Sequence, residues 1–188
     1  MFYVANWGFI AEGQSYFEDF ESVSYVRHTW SLAIEEQFYL IWPIAISLLF
    51  RFRKQKYVPV LLAFLIAISI FLMGFLYQSD PSRAYFGTDT RLHQVLIGVS
   101  LAFLLTGGYR EKALKIGYKL IPWSVAGIIV CFIFLNDATS FYYRGGSVAI
   151  ALSTAALISG LEANHPIQKF FRLKMFVSVG LISYGMYL

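Results

Sequence analysis

The stretch "VPVLLAFLIAISIFLMGFLY" runs from Val58 to Tyr77 without a single charged side chain. Wound as an α-helix at about 1.5 Å per residue it is about 30 Å long, the thickness of a bilayer's hydrocarbon core. Lipid offers backbone N–H and C=O groups no partners, so a segment of this kind has to be helical. That run fixes the solvent for the rest of the chain. Further apolar segments lie at 32–50, 91–106, 119–135 and 146–161, and another opens near 175. The expected fold is therefore all-α: a polytopic transmembrane helix bundle of about six spanning segments, with 1–31 as an outer loop and 32–188 as the helices. A chain that is 58% hydrophobic and only 14% charged has too little polar surface to cover itself in water, which supports the same class.

Basic residues orient the bundle. Arg51, Arg53, Lys54 and Lys56 fall between the first two segments, and Arg110, Lys112, Lys115 and Lys119 around the next same-side linker. Lys169, Arg172 and Lys174 fall in the last linker, so only Arg27, Arg83, Arg91 and Arg144 lie on the opposite side. Cytoplasmic loops carry the excess of Lys and Arg, which puts the crowded side inside the cell and sends residues 28–36 and 87–94 outward together. The same distribution argues against nucleic acid as a partner, because the net charge of +4 is strung between apolar segments and not gathered on one face. Membrane lipid is the expected surrounding.

Cys131 lies mid-segment, where packing is its expected role, and it has no second cysteine to pair with. Residues 175–188 reach only about 21 Å as a helix, short of a full span. "MFYVANW" likewise reads as the outer end of a helix. The expectation is a fragment of a larger membrane domain, truncated at both ends.

Chemistry concentrates in two outward stretches. In "HTWSLAIEEQFYLIWP", His28 to Pro43, Ser31 can cap the following helix and Glu35 and Glu36 fall in its first turns, where the helix dipole favours carboxylates. Neighbours in a helix point about 100° apart, so one of the two acids is expected to turn toward other helices. Glu35, Tyr39 and Trp42 share a stripe, and Pro43 frees the Tyr39 carbonyl and is expected to kink the helix. In "YFGTDTRLHQVLIG", Tyr85 to Gly98, Asp89 and His93 are four apart and can pair, which leaves Arg91 to meet Glu35 or Glu36. A histidine oriented by a carboxylate can take a proton from a hydroxyl, and a guanidinium can hold an oxyanion. The same parts serve a proton-coupled transporter, and a noncatalytic membrane subunit is the third reading. No metal-ligand spacing, Walker loop or nucleophile elbow is present, and His165 falls in an inner linker. Small residues four apart, Ala149 with Ser153 and Ala156 with Gly160, are expected to admit a close helix neighbour.

The first block closely resembles the hallmark of acyltransferase family 3, the multi-pass membrane O-acyltransferases of bacterial cell envelopes. "YFGTDTRLHQVLIGVSLAFLL" is similar to the family's T-D-T-R-x-D block, and "GLISYGMYL" to its I-S-Y-x-x-Y-L. The resemblance implies transfer of an acyl group, usually acetyl from acyl-CoA as donor substrate, to a hydroxyl of a polysaccharide or peptidoglycan acceptor in the cell membrane, with no bound cofactor. It marks His28, Ser31, Glu35, Glu36, Gln37 and Tyr39 in the first block and Thr88, Asp89, Thr90 and Arg91 in the second. Among these, Glu35, Glu36, His28 and Arg91 carry the expected catalytic roles. Ser31, Gln37, Tyr39, Asp89, Thr90 and His93 carry the substrate-binding ones. His93 stands where the family often has an acid. The family's first-helix histidine has no counterpart in this sequence, so the piece alone is expected to be inactive.

Overall fold

The computed structural model describes residues 2–13, 29–53, 55–134 and 140–187, and all the regular structure among them is helical. A 3₁₀ turn at Phe2–Val4 leads into α1 (Ala5–Ala11), followed by α2 (Thr29–Arg51). A second such turn, Gln55–Tyr57, opens α3 (Val58–Tyr77). Next come α4 (Pro81–Phe86), α5 (Thr88–Thr106) and α6 (Arg110–Phe134). A π-turn, Tyr142–Gly146, then introduces α7 (Ser147–Glu162), α8 (Gln168–Phe171) and α9 (Lys174–Tyr187). Each expected apolar segment forms a helix.

Among the described residues the expected six spans are met in part. Four helical stretches are long and apolar enough to cross a bilayer: Thr29–Arg51, Val58–Tyr77, Arg110–Phe134 and Tyr142–Glu162. α5 falls outside this set because Asp89, Arg91, His93 and Gln94 crowd its opening turns. The apolar part of α9, Lys174–Ser183, is too short. Pro43 lies inside α2, and the chain stays helical on both sides of it.

The chain divides into two compact units. In the first, Met1–Ser100 with Leu135–Val148, the core is Trp30, Ile34, Met73, Ala84, Tyr85, Phe86 and Tyr143, with Phe9, Ile10, Leu76 and Tyr77 packed on it. Local signals place this core. Asp80 caps α4, its side chain accepting the Arg83 N–H at 2.8 Å, and Pro81 follows at the position where a missing N–H costs nothing. The π-turn reverses at Gly145, whose φ of +145° L side chains rarely adopt. The Tyr143 ring is thereby set against Tyr77, with centroids 4.1 Å apart.

In the second unit, Leu101–Phe134 with Ala149–Leu188, small residues bring α6 and α7 together. A Cβ on Gly117 would collide with Ser159 and the Gly160 backbone, and one on Gly160 with Ile121 and the Gly117 carbonyl. Higher along the pair, Gly127 faces Ser153. Ser153 and Gly160, members of the two small-residue pairs in the sequence, are thus points of closest approach. Ser159 Oγ fixes the crossing by donating to the Ala113 carbonyl at 2.9 Å. Such packing substitutes for the hydrophobic drive that lipid does not supply. Gly117→Leu should therefore lower stability by about 1–3 kcal/mol, the range of overpacking in a tight core. Unfolding in detergent micelles measures it, and a wild-type transition would contradict the crossing.

Candidate functional site

The site is built where α2 and α5 begin. Thr88, the first residue of α5, donates to Gln37 Oε1 of α2 at 2.6 Å and accepts from Asn6 Nδ2 of α1 at 2.9 Å. Gln37 Nε2 closes the ring by donating to Asn6 Oδ1 at 3.0 Å and also reaches the Tyr3 carbonyl. Asn6, fully buried, donates further to the Phe86 carbonyl. Three elements are thus tied by one closed circuit of polar groups, each of which would be costly to bury alone. Thr90, also fully buried, donates to the carbonyls of Ala84 and Gly87 and pins α5 to α4.

Asp89 and Arg91 lie two residues apart but have different partners. Both carboxylate oxygens of Asp89 go to Arg83, Oδ1 to Nη1 at 2.9 Å and Oδ2 to Nη2 at 2.8 Å. This fork-to-fork pairing is the strongest arrangement open to a carboxylate. The Arg83 guanidinium also lies 4.9 Å from the Trp7 ring. Gly87 makes the pair possible, since a Cβ there would meet Arg83 Nη1, Asp89 Oδ1 and Thr90 Oγ1.

Arg91 is left without a carboxylate. Its Nε donates to the Tyr85 carbonyl at 2.6 Å, and its guanidinium carbon lies 4.2 Å from the Tyr85 ring centroid, 4.6 Å from that of Trp30 and 5.7 Å from that of Tyr142. Aromatic faces stabilise a cation without neutralising it. Among the described residues the ion pairs are Arg83 with Asp89 and Arg110 with Glu162, and Nη1 and Nη2 of Arg91 carry no hydrogen bond. The expected pairing of Arg91 with Glu35 or Glu36 is therefore not formed. Nor is that of Asp89 with His93, because Arg83 takes the Asp89 carboxylate and His93 turns into the bundle.

His93 is fully buried, with Nε2 3.1 Å from Ser147 Oγ and Nδ1 2.9 Å from the Thr90 carbonyl. Its backbone N–H donates to Ser69 Oγ at 2.9 Å. Ser69 belongs to α3 and Ser147 opens α7, so the imidazole joins three helices.

The two adjacent acids separate as helix geometry requires. Glu35 is exposed, whereas Glu36 is half-buried and its Oε2 is shielded from solvent without a hydrogen-bond partner among the described residues. An unpartnered carboxylate oxygen at this depth is a group waiting for a donor. Ser31 is half-buried at the start of α2. Tyr39 is 67% exposed, so the Glu35 and Tyr39 stripe faces away from the described helices, while Trp42 stacks on Phe38. His28 lies outside the described residues.

Sequence reasoning did not single out Asn6, Arg83, Trp30, Tyr85 or Tyr142. Trp30 lies within the first block and Tyr85 opens the second, so the motifs themselves carried a signal for the cage. Nothing local marks Asn6, whose partners are more than 30 residues away.

Comparison with known proteins agrees with the blocks that build this site. A family model described as an acyltransferase domain matches residues 1–188. The chain belongs to acyltransferase family 3. O-acetyltransferase OatA of Staphylococcus aureus (strain NCTC 8325 / PS 47) is 36% identical over 198 residues, covering 100% of this chain and 32% of the relative. SACOL0978 of Staphylococcus aureus (strain COL) is 38% identical over 199 residues with the same coverage. The chain thus spans about a third of the length of the curated relatives it matches. No solved structure gives a significant match.

The polar circuit is testable apart from any chemistry. A double-mutant cycle on Gln37→Ala and Thr88→Val should give a coupling of about 1 kcal/mol or more, as expected for neighbours in one buried network. Additive effects on unfolding would show that the circuit does not hold α1, α2 and α5 together.

Proposed function

We propose that this chain is the part of a membrane O-acyltransferase that activates acyl transfer to a hydroxyl on the outer side of the cell membrane. The observation that carries the reading is the Arg91 guanidinium, held by Tyr85 and Trp30 and without an ion pair among the described residues. The family match and the name of the OatA relative support the class of reaction.

Arginine stays charged at any physiological pH and presents paired donors to oxygen. In this reading the free Nη groups hold the carbonyl oxygen of the acyl group as it becomes an oxyanion. The acceptor hydroxyl loses its proton to a base, its oxygen bonds to the acyl carbon, and collapse of the tetrahedral intermediate expels the donor's thiolate, which takes up a proton. Glu36, with a shielded oxygen lacking a donor, orients or assists that base. His28 shuttles the proton, and Glu35 is the alternative carboxylate. Asp89, Thr90 and Gln37 shape the acceptor side through the frame they build, and His93 secures that frame from within the bundle. The donor is acyl-CoA, with acetyl as the acyl group, and the acceptor is a hydroxyl of peptidoglycan or another envelope polysaccharide.

In the intact protein, Arg91→Ala should lower kcat for acetyl transfer by about 10²–10³-fold, the usual effect of removing an oxyanion donor. Arg91→Lys should recover only part of it, because an ammonium lacks the planar fork. Released O-acetyl groups on a purified acceptor provide the readout. Wild-type turnover in Arg91→Ala would overturn the assignment.

A further inference from the structure

A groove of about 610 Å³ in the second unit, between the opening turns of α6 and the segment that closes α7 and carries α8, collects charge that the acyl-transfer site does not use. Arg110, Lys115, Lys119 and Arg172 line it, against Glu111 and Glu162. Glu162 is taken by Arg110 at 2.9 Å. Lys115, Lys119 and Arg172 form no ion pair among the described residues, and Glu111 is the remaining acid.

Three observations make this more than a solvated basic face. Lys115 and Lys119 are four residues apart on one face of α6, and Arg172 reaches the same groove from beyond α8. Arg110, Lys112, Lys115 and Lys119 crowd the first three turns of α6 against the single acid Glu111, and like charges four apart repel, a surplus that an anion relieves. The two helices that bear the groove are fixed to each other, because Gly117 and Gly160 are in contact and Ser159 is bonded across to Ala113. Across the groove, Asn164 turns the chain at φ +58° and Gln168 Nε2 holds the Leu161 carbonyl. The bias of basic residues toward the cytoplasm would be met by placing them anywhere in the inner linkers. Their convergence on a cavity within the usual size range of small-molecule sites calls for a ligand.

We propose that this groove binds phosphate groups on the cytoplasmic face, and that the phosphates are those at the nucleotide end of the acyl donor. The identity of the donor rests on the functional reading above. Binding of phosphate does not. Lys115, Lys119 and Arg172 supply charge-assisted hydrogen bonds, and the half-exposed Tyr118 ring beside them offers the base an aromatic surface. An anionic lipid headgroup carries the same chemistry.

The test uses the intact protein in nanodiscs of purely zwitterionic lipid, with adenosine 3′,5′-bisphosphate as the soluble probe. Titration calorimetry should show binding that weakens at least about tenfold in Lys115→Gln/Lys119→Gln and in Arg172→Gln, and that tightens in Glu111→Gln. The tightening in Glu111→Gln separates lost charge from lost fold. With acyl-CoA as donor, KM should rise in the first two variants while kcat holds. If the probe binds in this charge-dependent way but acyl-CoA supports no transfer, the phosphate site stands and the functional reading fails. If anionic lipid raises the melting temperature of the wild type above that of the variants while the nucleotide does not bind, the donor assignment is overturned. Equal affinity for the probe in all four proteins, with no lipid-dependent difference, overturns the site altogether.

Discussion

The Arg83–Asp89 pair is the interaction on which the candidate site depends. An arginine at a membrane helix entrance would ordinarily find some acid to pair with, and Asp89, two residues away, points to another side of α5. Here both oxygens of that acid are committed to Arg83 by two short bonds. The absence of a side chain at Gly87 leaves room for the side-chain ends of Arg83, Asp89 and Thr90 there. Arg91 consequently keeps its full charge, is held by π-faces and one carbonyl, and has two nitrogens left for another partner.

Around this electrostatic choice the polar circuit of Asn6, Gln37 and Thr88 serves as a frame. It fixes the opening of α5 against α1 and α2, which sets Trp30 over the guanidinium. His93 performs the corresponding task one turn deeper by joining α3 and α7 to α5. Positions that read in sequence as catalytic or binding residues thus divide in two. Thr88, Thr90, Gln37 and His93 spend their hydrogen bonds on the protein, whereas Arg91 and Glu36 keep atoms unspent.

Much of the architecture was legible because lipid leaves few options: a run such as 58–77 can only be a helix, and the observed α3 has those bounds. The outward turn of one glutamate and the inward turn of the other followed from the helical angle alone. Pairing was not legible, because spacing along one helix says nothing about an arginine on a neighbouring one. Arg83 lies on α4, a six-residue helix outside every apolar segment, and reaches Asp89 only because the chain turns at Gly87. The six-span count is met only in part, by four helical stretches among the described residues, for a related reason. α5 has the length to cross, but its opening turns hold the polar residues that make the site.

The proposal that matters most is that Arg91 serves acyl transfer because no acid among the described residues neutralises it, and supplying an acid tests this directly. Tyr142, whose ring lies 5.7 Å from the guanidinium, is the place to do so. Acetyl transfer by the intact protein should fall at least about tenfold further in Tyr142→Glu than in the neutral, similarly sized Tyr142→Gln, as a new ion pair occupies the free nitrogens. Equal turnover in the two variants, with both folded, would contradict the account.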